Sequence, residues 1–272
     1  MLPTKQFYLL IIGNIIAWQY IFQLYYQQPA TMTVLDVGQG ESTLIQDQHT
    51  QILIDAGPDQ SILSGLAQSL PAHDQTIELI ILSHSHDDHY QGFNYLFSRY
   101  HIKQAIINGI ADQNPDYQNF LSFLTQQRVN IHYAQAGQQI KLNDITIDLL
   151  FPFSSLQGQT TEEPNNTSIA VKITSPQISA IITGDLHQEI ENQLVEHYHS
   201  DLQADILVVG HHGSKTSTGD LFLTTVHPQT VIIPVGLDNK FNHPSPETID
   251  KLIQKNIEIK RTDLDGSVSI KL

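Results

Sequence analysis

The sequence predicts a layered α/β domain over residues 30–272, preceded by one N-terminal membrane-anchor helix over residues 1–29. Three patterns carry this expectation. The chain opens with an uncharged apolar stretch as long as a bilayer is thick. Short strand-like runs separated by turn-like segments follow, and from residue 61 onward apolar strands alternate with helix-like stretches, the order from which sheets covered by helices are built.

The anchor is read from Phe7 to Tyr26, FYLLIIGNIIAWQYIFQLYY, 20 residues without a charge, interrupted only by Asn14, Gln19 and Gln23. About 20 apolar residues cross a bilayer as a helix. Lys5 lies just before the stretch, and Trp18, Tyr20, Tyr25 and Tyr26 crowd its far half. Positive charge inside and an interfacial aromatic belt are the matching pattern. It predicts a single-pass membrane protein with its N-terminus inside and the domain on the extracytoplasmic side. A cleaved signal peptide is the alternative, but the apolar region is long for one and no small-x-small site clearly precedes Thr31. A buried core helix fits less well, because Gln and Asn are scattered without an amphipathic stripe.

After Thr31, TMTVLDV, STLIQ and QILIDAG read as short strands broken by GQGE and DQHTQ. Ser61–Ser69 reads as a helix and Leu79–Leu82 as a buried strand. Further strands are expected at Ala105–Ile107, Val129–His132, Ile145–Leu149, Ile169–Ile173, Ile178–Ile182, Ile206–Val209 and Val231–Pro234. Helices fit near Tyr117–Gln127, His187–His199 and Pro246–Lys255. The polar stretch Ser154–Asn166 reads as a loop inside one domain, and 272 residues are enough to bury one sizeable core.

Thirteen Lys and Arg against 28 Asp and Glu leave a net charge of −15, which opposes nonspecific attraction to nucleic acid and anionic lipid. A polyanionic substrate must then be held by local cations or by metal. The absence of cysteine excludes disulfides and thiolate ligands, leaving imidazole and carboxylate to bind any metal.

Those donors are concentrated in SHSHDDH, residues 83–89, directly behind the apolar Ile80-Ile81-Leu82. His84, His86, Asp88 and His89 form an H-x-H-x-D-H pattern, and a loop leaving a strand with this spacing aims four side chains into one small volume. A solvated polar loop is the bland alternative. The chain has 14 histidines, and three within six positions beside two aspartates favour metal ligation, with donors that zinc and manganese accept.

HSHDDH after a hydrophobic strand, TGD at 183–185 after another, and LIDAG at 53–57 together resemble the metallo-β-lactamase superfamily. Its fold is an αββα sandwich with metals along one edge. LDVGQGES (35–42), NNTSIAVKI (165–173), VGHHGSKTST (209–218), NHPSPET (242–248) and RTDLDGSVSIKL (261–272) narrow the resemblance to the C-terminal hydrolase domain of ComEC competence proteins, which take up DNA. The resemblance implies two divalent metal ions, zinc or manganese. It makes His84 and His86 ligands of one ion and Asp88 and His89 ligands of the second. Asp185 would bridge the two, as a carboxylate can in dinuclear hydrolases, and His243 would join the second ion. Many relatives add a histidine on the first metal, but the corresponding TTEEPNNTSIAV has none; water, Asn166 or a preference for manganese would make up the difference. His101 and His132 match no motif.

A hydroxide held between two cations is a nucleophile at neutral pH. His211 or His212 is placed to protonate the leaving group, with Asp88 beside them. Asp36 and Asp55, at strand ends, are candidates to fix the tautomers of ligating imidazoles. Gln39 enters the site from the Gly-Gln-Gly turn, although a tight hairpin alone explains both glycines. Ser214 and Lys215 offer a hydroxyl and a cation to phosphate, with Lys240 close to the motifs. Asp263 reads equally as a second-shell group or as turn chemistry. The expected function is a phosphodiesterase, a nuclease linked to DNA uptake, with DNA as substrate and other competence membrane proteins as partners. A hydrolase of a small ester, lactone or phosphodiester is the first alternative. An inactive membrane-anchored accessory, or a remnant of a split competence protein, is the second.

Overall fold

The structure, a computed structural model, describes residues 4–26 and 29–272; for residues 4, 7 and 21–26 it describes the backbone course alone. Fourteen strands form two seven-stranded sheets. In chain order they are β1 (Thr31–Val34), β2 (Thr43–Asp47), β3 (Thr50–Ile54), β4 (Thr76–Leu82), β5 (His101–Ile107), β6 (Asn130–Tyr133), β7 (Gln139–Leu142), β8 (Ile145–Phe151), β9 (Ala170–Thr174), β10 (Ser179–Ile182), β11 (Ile206–Val208), β12 (Thr230–Ile233), β13 (Glu258–Arg261) and β14 (Val268–Lys271). One sheet runs β14-β1-β2-β3-β4-β5-β6 and the other β13-β12-β11-β10-β9-β8-β7. The helices are α1 (Thr4–Tyr26), α2 (Ser61–Ser69), α3 (Asp87–Tyr90), α4 (Phe93–Leu96), α5 (Pro115–Gln126), α6 (Gln188–Tyr198), α7 (Asp220–Val226), α8 (Pro246–Gln254) and α9 (Thr262–Asp265).

Side-chain alternation builds the layers. Ile52, Ile54, Leu79 and Ile81 point inward to a core shared with Ile182, Ile206, Val208 and Ile232 of the other sheet. Their neighbours Leu53, Ile80 and Leu82 point the other way, against Ile62, Leu66 and Phe120 of α2 and α5. Leu207, Val231 and Ile233 likewise face Leu194, Phe222 and Leu252 of α6 to α8. Strands buried on both faces read as continuous apolar runs, and the layer order is helix, sheet, sheet, helix. Two helix starts are locally specified: Asn114 accepts a hydrogen bond from Asp116 N at 2.9 Å ahead of Pro115, and Ser245 accepts one from Thr248 N at 3.2 Å ahead of Pro246.

The central strands are parallel, with Ile54 level with Ile81, and Ile182 level with Val208, itself level with Ile232. Their carboxyl ends therefore meet at one edge of the sandwich, the side on which loops of α/β sheets collect ligands. Asp55, Ser83, Thr183 and Val209 each follow directly or within a residue of those ends.

The expected N-terminal helix is present as α1, 23 residues with exposed side chains from Tyr8 to Tyr20, but its expected role as a membrane span finds no support. Among the described residues no helix is long and apolar enough to cross a membrane. Asn14, whose side chain donates to the Leu10 carbonyl at 2.9 Å, and Gln19 dilute the aliphatic run. The side chains of Tyr25 and Tyr26, expected in the aromatic belt, lie outside the described residues.

Candidate metal centre

His84, His89 and His212 are each tied down through one ring nitrogen, leaving the other turned toward a common centre. Asp55 is fully buried and accepts from Ser83 N at 2.7 Å, Ser83 Oγ at 2.6 Å and His89 Nδ1 at 2.7 Å. His84 Nδ1 lies 3.0 Å from Ser83 Oγ and 3.2 Å from Ser168 Oγ. His212 Nδ1 lies 2.9 Å from the Pro234 carbonyl, which can only accept, so its proton is on Nδ1. The free Nε2 atoms converge. His89 Nε2 is 3.4 Å from Asp185 Oδ1, and His84 Nε2 and His212 Nε2 are each 3.9 Å from Asp185 Oδ2. His212 Nε2 is also 3.2 Å from Asp88 Oδ2, at ion-pair distance but out of line for a hydrogen bond.

Three buried Nε2 atoms, of His84, His89 and His212, together with Asp185 Oδ1, thus have no hydrogen-bond partner. Buried polar atoms are almost always paired, and four orphans around one point fit a missing cation. The donor atoms of His84, His89 and Asp185 lie within 4.8 Å of one another, as do those of Asp88, His89 and His212. A third such group, Glu41, Asp55 and His89, sits behind them. Imidazole held by a second-shell acceptor with a lone pair aimed inward is how proteins present ligands to zinc-like ions.

The charges agree. Burial, with His89 beside it, holds His84 neutral, its pKa well below the usual range. Burial would raise Asp185, but His89 and His212 outweigh it and keep the carboxylate ionised. Burial would lower His212, yet Asp185 and Asp88 lift it to about 9; the same opposition of burial by Asp185 and Asp55 raises His89 well above its ordinary value. Glu41, buried with neither carboxyl oxygen paired, is pushed up to about 8 by burial and then by Asp55. Protons collect where a cation would sit, so cation binding must expel them.

A family model described as the metallo-beta-lactamase superfamily matches residues 35–236. The chain belongs to that superfamily. Metallo-beta-lactamase relatives among curated proteins are "ComE operon protein 3" of Bacillus subtilis, 28% identical over 253 residues, and "Competence protein ComA" of Neisseria gonorrhoeae, 26% identical over 252. These alignments cover 86% and 90% of this chain and 32% and 33% of the relatives, so the chain spans about a third of their length. Among solved structures, the metallo-beta-lactamase fold protein YhfI from Bacillus subtilis superposes with a TM-score of 0.59 at 15% identity, covering 90% of this chain and all of that one. A diphosphatase from the PhnP family superposes with a TM-score of 0.55 at 15% identity, covering 89% and 98%. At those identities the likeness is one of fold.

Within this metallo-beta-lactamase site the predicted residues divide. His84, Asp88, His89 and Asp185 come together; His86 stands beside them, its ring 4.7 Å from that of His84, on the wall of a cleft of about 800 Å³. The second group is completed by His212, while His243, half-buried with its ring 5.7 Å from His211, stands outside both groups. Asp55 takes the expected second-shell place. Asp36 does not: it is exposed, and its carboxylate accepts from Gly38 N of its own turn. Asn166 does not face His84, because its side-chain oxygen accepts from His187 N at 3.1 Å. Ser168 takes that place and also accepts from Asp185 N at 3.1 Å. Gln39 accepts from Gly236 N at 3.1 Å and ties two loops of the cleft together, while a Cβ on Gly40 would come within 2.5 Å of the Asp88 carbonyl. The glycine is thus required by close approach.

The GHHG loop is strained. His211, His212 and Gly213 have φ of +51°, +53° and +80° in succession, a conformation that costs energy in histidine and persists where surrounding structure imposes it. Here His211 N donates to the Gly184 carbonyl and Ser245 N to that of Gly213. His211 Nε2 reaches to 3.7 Å from Asp185 Oδ2, and its Nδ1 lies 3.1 Å from Thr216 Oγ1, which in turn contacts Ser214 Oγ at 3.0 Å. Burial, only partly countered by Asp185, lowers His211 to about 4. The exposed Lys215 contributes its carbonyl to Gln188, and Lys240 is the lysine that lines the cleft. Asp263 binds Arg261 at 2.6 Å, which is turn chemistry. Sequence reasoning missed Glu41, Ser83 and Ser168; the acid closing GQGE and the serines flanking the motif and NNTS were the available signals.

Proposed function

We propose that this chain is a metal-dependent phosphodiesterase, a nuclease acting on DNA during its uptake, loaded with two divalent cations, zinc or manganese. The observation that carries it is the ring of unpartnered Nε2 and carboxylate atoms at the floor of an open cleft with Lys240 on its wall. His84 and His86 would hold one cation, Asp88, His89 and His212 the other, and Asp185 would serve both. When bound, such cations acidify water and polarise a phosphoryl oxygen. The chain's own residues do the rest. Ser83, Ser168, Asp55 and the Pro234 carbonyl fix the three imidazoles with Nε2 free. In the tautomer whose Nδ1 accepts from the Thr216 hydroxyl 3.1 Å away, neutral His211 carries its proton on Nε2 and would donate it as a hydrogen bond to charge growing on the substrate oxygen. At its lowered pKa it positions and stabilises more readily than it protonates a leaving group.

DNA as the substrate is supported by similarity to competence proteins. The test is metal analysis of the full chain, then hydrolysis of a defined oligonucleotide with manganese or zinc, wild type beside Asp88→Ala. Wild type no better than the variant refutes an enzymatic site. Cleavage of a small phosphodiester without cleavage of DNA assigns it a small substrate. The same proposal places the domain at the extracytoplasmic side of the bacterial membrane beside other competence membrane proteins; resistance of the domain to protease added to spheroplasts would refute that location.

A further inference from the structure

The wall of the cleft carries a feature that metal binding does not explain. Phe93, Phe120 and Phe222 are wholly buried; Phe123 and Phe241 are exposed, and of these two Phe241, 50% exposed, lines the cleft next to Asp88, Asp185 and His211. Its ring lies parallel to that of His243, 19° between planes and 6.0 Å between centroids, and the Lys240 ammonium stands 5.0 Å over it. An aromatic face with a cation beside it matches a planar base joined to a phosphate. The rest of the wall is acidic: Asp59, Asp87 and Asp112 line it, and Lys240 is the one Lys or Arg among its described residues. Such a wall accepts one phosphate near Lys240 and repels those further along a strand.

Building on the phosphodiesterase reading, we propose that Phe241 and Lys240 form a single-nucleotide subsite beside the metal centre, the base stacking on Phe241 and the phosphate meeting Lys240. The ammonium now over the ring moves to the phosphate as the base takes its place. A base within a duplex already stacks on both neighbours, so the subsite takes single strands or frayed ends.

The test uses the full chain, manganese, and a short single-stranded oligonucleotide with phosphorothioate linkages to slow hydrolysis and one 2-aminopurine, whose fluorescence falls on stacking. An otherwise identical strand with an abasic position replaces that base in the control. Wild type quenches the probe. Phe241→Ala loses the quench and binds the base-containing strand about 5- to 150-fold more weakly, Phe241→Trp retains both, and wild type and Phe241→Ala bind the abasic strand alike. Lys240→Ala makes the log–log salt dependence of binding shallower by about 0.7, one phosphate contact on a single strand. Equal binding of the base-containing strand by wild type and Phe241→Ala overturns the subsite, as does equal weakening on both strands, or no binding by wild type. Cleavage of unmodified DNA is scored separately: its loss in wild type sinks the nuclease reading, and its survival beside an indifferent Phe241→Ala sinks only the subsite.

Discussion

Replacing Asp55 by Asn reverses one hydrogen bond and leaves the shape of the centre in place. Asp55 accepts from Ser83 N through Oδ1 and from Ser83 Oγ and His89 Nδ1 through Oδ2. In Asp55→Asn the amide oxygen keeps Ser83 N, and the amide NH₂ falls where Oδ2 was. It must then donate to His89 Nδ1, which drives the proton to Nε2 and occupies the lone pair the cation needs. Loss of such an outer-shell partner weakens metal binding about 10- to 100-fold. Exchange of a charge-assisted for a neutral acceptor costs on the order of 1–3 kcal/mol of stability. Asn is the right variant because φ at position 55 is +56°, a region Asn tolerates better than Ala. Chelator competition gives the affinity for zinc and manganese, and thermal unfolding of the metal-free protein shows that the variant is folded. A folded Asp55→Asn that binds both ions as wild type does would falsify the claim that tautomer locking prepares His89. Asp36→Asn, altering an exposed turn carboxylate, should change neither quantity.

The two adjacent histidines should separate by assay: His212→Ala loses bound metal, while His211→Ala keeps its metal content and loses about 10²- to 10³-fold in kcat, the cost of removing one oxyanion donor; a metal-replete His212→Ala refutes its ligand role. Metal binding at pH 7 should release protons, because the metal-free His212 titrates near 9, so affinity rises with pH up to that value; titration calorimetry in buffers of different ionisation enthalpy reads the release, and none detected would count against the site. Glu191, buried while accepting from Thr218 N at 2.6 Å and Gly219 N at 2.8 Å, is raised to about 7 by burial. A raised carboxyl contributes stability below its unfolded value of 4.5 and loses it as pH climbs through about 7, a fall of up to about 3 kcal/mol; denaturant unfolding should show this slope in wild type and its absence in Glu191→Gln.

Much of the architecture was legible because central strands buried on both faces must be apolar throughout. Ser61–Ser69 forms as the helix expected, and Leu79–Leu82 lies within the longer β4. The two edge strands of one sheet were not legible. Gln139–Leu142 and Glu258–Arg261 border that sheet and carry Lys, Glu and Arg on exposed or half-exposed positions, the charges by which sheet edges avoid pairing with other chains; neither was among the expected strands, whereas the edge strand at Asn130–Tyr133 was expected at Val129–His132. The first metal motif was legible from spacing alone. That His212, and not His243, gathers with Asp88 and His89 was not, because it depends on the left-handed turn at His211 and His212 and on a carbonyl from β12's end, 22 positions away. Ser168 was hidden for a similar reason: its role arises only when β9 and β10 pair and bring it against Asp185 N.

The acidity of the chain looks at first like an argument against a polyanionic substrate, and the site reverses it locally. With Glu41 held neutral by burial, the ionised Asp88 and Asp185 face two imidazolium groups, His89 and His212. Those charges cancel, in a cleft whose walls carry Asp59, Asp87 and Asp112. A buried charge left uncompensated is costly, and the two imidazolium protons compensate the two carboxylates. Exchanging those two protons for two divalent cations would add two positive charges, and a metal-held hydroxide would take one back. That surplus matches the single charge of one phosphodiester, and the field reaches little beyond it, because a Debye length is about 8 Å at physiological salt. Metal loading would therefore turn the centre into one that attracts a single phosphate. A net charge of −15 then limits how much of a strand is engaged, and it does not bar a strand from being cut.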